Sequence, residues 1–307
     1  MASFFYPLPF LIFQYKYTSM KKLLYSIFLS TLGLTSFATN RFQTLYGDME
    51  TDRCRAFATT VDGYVLVGNN SFGATTADVT AYRIDNSGSL LWSAKIGTAK
   101  DDEATDIRET SDGGFIITGN TLGGTMDTAH TDIFVLKIDD QGFPIWSTTY
   151  GGQNQDEANC ILVNPAGGYF VLGSTASYGN VDRSALLLKI DNNGIQQWTI
   201  TCNATNINAF NNAILTADGK IIAAGYALKN SGNDTDMLVV QIDTSGTINW
   251  AKRIGSTGND KLNALCSFTG NGFLLAGSAG SNSGTDQDQN ITCSRTRCRP
   301  STLTDRR

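Results

Sequence analysis

Asp52, Asp102, Glu103, Asp156, Glu157 and Asp260 lie in acidic, polar clusters that recur along the 307-residue chain, each cluster following a glycine. A fourth occurrence carries Asn208 in the same place. Carboxylates gathered on one mouth can hold a cation or hydrogen-bond a polyhydroxylated ligand. A pair such as Asp156 and Glu157 also raises glycoside hydrolysis, which needs two carboxyl groups facing one bond. Neighbours on an extended strand point to opposite faces, so one strand does not supply that geometry alone. The other reading is that each aspartate satisfies backbone N–H groups where a strand begins. His130 is the only histidine, which confines a Ser/His/Asp triad to its own segment. There is neither a CxxC pair for zinc nor a glycine-rich phosphate loop, and no cofactor is expected.

The elements that must position these residues repeat with them. "RIDNSGSLLW" (83–92), "KIDDQGFPIW" (137–146), "KIDNNGIQQW" (189–198) and "QIDTSGTINW" (241–250) are one phrase written four times. Each unit runs in the same order: acidic cluster, strand ("DEANCILV"), turn, strand ending in glycine ("GGYFVLG"), polar loop, strand ("ALLLKID"), tight turn, and a strand carrying tryptophan. Asp85, Asp139, Asp191 and Asp243 each precede a glycine by three residues. That spacing suits a hairpin whose aspartate bonds its own backbone and whose glycine takes positive φ. A calcium loop begins similarly but needs further ligands and a closing glutamate that are missing here. Trp92, Trp146, Trp198 and Trp250 are read as structural equivalents packed between units.

Glycines 68, 119, 173, 225 and 277 close the second strand of successive units. A repeat of about 50 residues with four strands is a propeller blade, which cannot bury both faces without neighbours. The expected fold is therefore an all-β β-propeller of four-stranded antiparallel blades, four full and a partial fifth. The units fall at about 47–96, 97–150, 151–202 and 203–254, with part of another at 255–288, inside a repeat region of 39–288. The acidic clusters and the loops 69–78, 120–132, 174–183, 226–236 and 278–288 then share one face, where the six carboxylates ring the channel mouth. Aromatic residues in those loops are few (Phe72, Tyr178, Tyr226), which gives a sugar-stacking surface little support.

The stretch "YGGQNQDEANCILVNPAGGYFVLGST", followed by "LLLKID" and "GIQQW", resembles the secreted bacterial β-propeller repeat of the SBBP type found in Bacteroidetes-like proteins. The resemblance covers about residues 42–288 and implies a propeller serving as a module of surface or exported proteins. The fourth unit departs from it, because "CNATNINAF" lacks the glycine and the acidic pair.

Residues 20–38, "MKKLLYSIFLSTLGLTSFA", read as an export signal cut after Ala38, with 1–19 an upstream extension. A secreted or cell-surface protein with no membrane span in the mature chain is expected. Between residues 39 and 291 the chain holds 15 basic and 27 acidic residues, a net charge of −12. Such a surface repels nucleic acid and favours a neutral or cationic partner, protein or glycan. Cys54, Cys160 and Cys266 fall in corresponding apolar segments and are expected to be small core residues. Phe42 aligns with the tryptophans, so "RFQTLYG" reads as an isolated fourth strand. The tail 289–307 is basic, non-repetitive and expected to be disordered, and is read as the mark of a truncated longer gene, with a closed five-bladed ring as the alternative. The function expected is a non-catalytic binding or structural module; the alternative is a propeller hydrolase or lyase acting on polysaccharide through the channel-mouth carboxylates.

Overall fold

The computed structural model describes residues 42–46, 51–72, 76–98, 100–123, 130–179, 182–202, 208–229, 234–255, 258–268, 272–280 and 294–296. The expected export signal, most of the basic tail and the tips of the polar loops lie outside them.

Every described element is a strand. The first blade is β1 (Thr51–Thr59), β2 (Gly63–Phe72), β3 (Thr76–Asp85) and β4 (Leu90–Ile96). The second is β5 (Asp102–Glu109), β6 (Phe115–Leu122), β7 (Thr131–Ile138) and β8 (Pro144–Tyr150). The third is β9 (Asp156–Val163), β10 (Tyr169–Thr175), β11 (Ser184–Ile190) and β12 (Gln196–Cys202). The fourth is β13 (Asn208–Leu215), β14 (Lys220–Leu228), β15 (Thr235–Asp243) and β16 (Ile248–Ile254). A fifth, partial blade has β17 (Lys261–Phe268), β18 (Gly272–Ser278) and β19 (Ser294–Thr296). Within each blade the strands pair antiparallel in chain order. This is the β-propeller of four full blades and a partial fifth. The polar loops are shorter than expected because strands reach into them: β2 runs to Phe72 and β3 starts at Thr76.

The repeated phrase is a hairpin. One oxygen of Asp191 accepts the backbone N–H groups of Asn193 (2.8 Å) and Ile195 (2.9 Å), while Gly194 closes the turn at φ 79°. Asp85, Asp139 and Asp243 repeat the pattern. The glycine also makes room for a neighbour: Trp92 of the first blade stands over Gly142 of the second, Trp146 over Gly194, and Trp198 over Gly246. The indole N–H of Trp92 donates to Asp140 O (2.9 Å) and that of Trp146 to Asn192 O (3.1 Å). The tryptophans therefore tie each blade to the next.

A second repeated device lies on the innermost strands. Each carries a bulge of one residue, at Arg55, Thr105, Asn159, Asn211 and Asn263. The strand-ending glycine lies beside it: a Cβ on Gly173 would run into the Glu157 carbonyl oxygen, so the bulged strand needs a residue without one. The bulged asparagine reaches the following blade, Asn159 Nδ2 donating to Phe210 O (2.8 Å) and Asn211 Nδ2 to Leu262 O (2.7 Å).

The core sits between blades rather than inside any one of them. Ile116, Ile133 and Val135 of the second blade meet Ile161, Val171, Leu186 and Leu188 of the third in one apolar layer. Phe170 and Leu172 face Phe210, Ala213 and Ala223 across the next junction. Middle strands covered on both sides are mostly apolar and carry no alternation, as in "YFVLGST" of β10, every residue of which is buried, including Ser174 and Thr175 at its end.

One expectation is corrected. Cys160 is buried, but Cys54 and Cys266 are exposed. Cys160 faces the next blade, its Sγ 3.8 Å from Ala213 O, whereas Cys54 and Cys266 lie on the first and last described blades, whose outer faces no other described blade covers. All four described cysteines are free thiols.

Candidate functional site

The structure divides the six carboxylates into two groups. Asp102, Asp156 and Asp260 are 4 %, 0 % and 1 % exposed, and Asn208 in the fourth blade is fully buried with them. Asp156 accepts the Gly152 N–H (3.0 Å), the Ser177 hydroxyl (2.6 Å) and the Thr175 hydroxyl. Asp102 accepts the backbone N–H (2.6 Å) and hydroxyl (2.9 Å) of Thr98, and Asp260 the Gly280 N–H (3.1 Å). Asp52 is partly buried and accepts the Asn70 amide (2.8 Å). Asp102 and Asp156 thus close the loop entering their blades, while Asp52 and Asp260 bond to groups on or just after the second strand. The glutamates point elsewhere: Glu103 pairs with Arg55 of the first blade, and Glu157 with Arg183 at 3.2 Å.

A second carboxylate accompanies the buried aspartate. Asp132 and Asp156 both crowd Gly151, and Asp236 and Asp260 both crowd Gly255. Lys229 (3.4 Å) and Arg253 (3.1 Å) pair with Asp236, and Lys95 pairs with Asp78 in the first blade (3.0 Å). The fourth-strand position of Lys95 and Arg253 is Thr149 in the second blade. Burial accordingly pushes the Asp156 carboxyl above its ordinary range; its hydrogen bonds oppose the shift and the Asp132 charge adds to it. Among the described residues, no group of three His, Cys, Asp or Glu side chains is arranged to hold a metal ion.

The space beside Asp102 measures about 170 Å³, too little for an ordinary small-molecule pocket. A cavity of about 660 Å³ opens on the opposite face, between the second and third blades. Trp146 and Tyr169 form one wall, with ring centroids 6.3 Å apart; Asp112, Lys137, Asn164 and Asn192 supply polar groups. The Lys137 ammonium is buried and fully engaged, donating to Thr110 Oγ1 (2.8 Å), Asp112 Oδ1 (2.9 Å) and Ile138 O (3.2 Å). The Thr110 hydroxyl and Lys137 hold the Asp112 carboxyl down at about 2. Asp112 remains 60 % exposed, an anion facing the opening. At the preceding junction Arg83, Asp62 and Trp92 line a smaller copy of this cleft, about 310 Å³. Sequence reasoning missed the cavity because its lining comes from three tight turns and a tryptophan, each with a sufficient structural role. The available signal was a basic residue before three of the four "ID" pairs (Arg83, Lys137, Lys189; the fourth has Gln241), on the strand next to that tryptophan.

No protein-family model matches the chain, and no curated protein does. Among solved structures, a protein of unknown function from Bacteroides caccae aligns with TM-score 0.50 and 16 % sequence identity, covering 76 % of this chain and 74 % of that one. The parainfluenza virus 5 hemagglutinin-neuraminidase ectodomain aligns with TM-score 0.44 and 10 % identity, covering 83 % and 71 % of the two chains. An endo-arabinase from Bacteroides thetaiotaomicron gives TM-score 0.40 and 9 % identity over 79 % and 92 %. At 16 % identity the likeness to the Bacteroides caccae protein extends to the fold and no further; with its four-stranded antiparallel blades following one another in chain order, the chain is a β-propeller.

Proposed function

We propose that this protein is an exported, non-catalytic propeller module that binds a neutral or cationic ligand in the cleft between its second and third blades. The observation that carries the reading is the division of labour among the acidic groups. Asp102, Asp156 and Asp260 are buried and hydrogen-bonded to loop backbone at the ends of their blades' strands, while Asp112 keeps an exposed carboxylate at the mouth of the 660 Å³ cleft beside Trp146. The acidic surface supports attraction of a cation, and the ring wall supports stacking. The export signal read from residues 20–38 supports action outside the cell or at its surface.

The test is a screen of the purified protein against neutral and amino-substituted polysaccharides and small cations, following tryptophan fluorescence and released reducing ends separately. Binding that is lost in Asp112→Asn, without release of reducing ends, is the expected result. Release of reducing ends that disappears in Glu103→Gln with Glu157→Gln would establish a hydrolase instead.

A further inference from the structure

The outer faces of the first and fifth blades are the unlike halves of the junction that the chain makes four times internally. Every blade presents one face to its predecessor and the other to its successor. On the predecessor-facing side, Ile107 and Ile161 are fully buried and Ala213 is 2 % exposed, but Phe57, at the same register position of the first blade, is 60 % exposed. Leu66 there is only partly buried, where Ile117, Val171 and Ala223 are fully buried. On the successor-facing side, Ile116 and Phe170 are fully buried, whereas Leu274 of the fifth blade is partly exposed. Cys266 is exposed where Leu162 is 6 % exposed. In the described chain neither face is covered by the other.

Two details specify what belongs against the first blade. Residues 42–46 occupy the place of a fourth strand belonging to a preceding blade: Phe42 stands over Gly88 as Trp146 stands over Gly194. The Tyr46 hydroxyl donates to Gly88 O as the Tyr150 hydroxyl does to Gly194 O (2.5 Å). The missing neighbour is thus a blade that lacks its fourth strand, and among the described residues the fifth blade has three strands, in the order β17-β18-β19. The second detail is the asparagine clasp. Asn263 sits at the bulge position of Asn159 and Asn211 but is exposed, and the backbone position that its predecessors bond, Phe210 and Leu262, is Cys54 in the first blade.

We propose that the fifth blade of one copy docks on the first blade of a second copy, head to tail. Asn263 donates to the Cys54 carbonyl, Leu274 and Cys266 cover Phe57 and Leu66, and residues 42–46 complete the incoming sheet. Because the two faces differ, the contact is heterologous: it closes into a ring or propagates as a chain, according to the rotation between copies. This assembly is independent of any ligand in the cleft.

The test uses two end-blocked variants of the full chain, Phe57→Arg and the double variant Asn263→Lys with Cys266→Arg. All three positions are exposed, so each variant should melt within a degree or two of the parent. Light scattering on a sizing column reads the mass. The parent should assemble into dimers or larger species at tens of micromolar, each variant alone should run as one copy, and an equimolar mixture of the two should form a discrete two-copy complex, since each retains one intact face. A parent that stays at one copy, including one whose fifth blade closes on its own first blade, overturns the proposal. So does a variant that still self-associates, or a mixture that fails to pair.

Discussion

Replacing Trp146 by alanine tests whether the repeated tryptophan is primarily a blade-to-blade tie. Its ring lies over Gly194 of the next blade, packs beside Tyr169 at 6.3 Å and donates to Asn192 O at 3.1 Å. The side chain is partly buried, so about 150 Å² of ring surface leaves water on folding. At about 25 cal/mol/Å² this area contributes about 4 kcal/mol. The indole hydrogen bond adds about 1 kcal/mol. The cavity behind the ring already opens to solvent, so water refills part of the space and the loss should fall short of that sum, at about 3–4 kcal/mol. For a chain of this size about 3 °C accompanies each kcal/mol, which predicts a melting midpoint lowered by about 10 °C. Trp146→Phe keeps the stacked ring and loses the donor, and should cost about 1 kcal/mol. Circular dichroism melts of both variants decide the matter. A Trp146→Ala midpoint within 2 °C of the parent (about 1 kcal/mol or less), combined with lost ligand binding, would refute the structural assignment and leave the indole as a ligand platform.

The Asp156 carboxyl has a folded-state pKa above its unfolded value, so its contribution to stability is complete below the unfolded pKa and declines as pH rises through the folded one. Asp156→Asn should flatten the corresponding fall in melting temperature above the ordinary carboxylate range; an unchanged pH profile would contradict the buried-pair reading. Gly194→Ala places a side chain at φ 79° against Trp146 and should destabilise by at least about 1 kcal/mol, whereas Asp191→Ala, which frees two exposed turn N–H groups, should cost about 1 kcal/mol, both read from denaturant midpoints. Asn211→Ala strips a clasp bond from the Leu262 carbonyl, and hydrogen exchange should rise locally in β17. Calcium titrated calorimetrically should give no tight binding, because the buried aspartates already accept backbone and hydroxyl donors; sub-micromolar affinity abolished by Asp102→Asn with Asp156→Asn would overturn that expectation.

The sequence alone determined the elements whose causes are local. An aspartate three residues before a glycine makes the same hairpin wherever it occurs, since both the accepting carboxylate and the positive-φ residue act within one turn. Four strands repeated at near-constant spacing cannot bury both faces separately, so the propeller and the place of its tryptophans were legible too, and so was Phe42 as a stand-in for one of them. What the sequence did not decide depends on which blade lies beside which. Cys54, Cys160 and Cys266 look alike in the chain, yet only Cys160 has a neighbouring blade to cover it. Asp156 reads as a ring carboxylate until its burial beside Asp132 and three donors is seen. The cleft at Trp146 is assembled from turns of two blades, and no single repeat contains it. Tertiary structure settled these points because burial, paired charge and cavity shape belong to the junction between repeats, where residues some fifty positions apart are brought into contact.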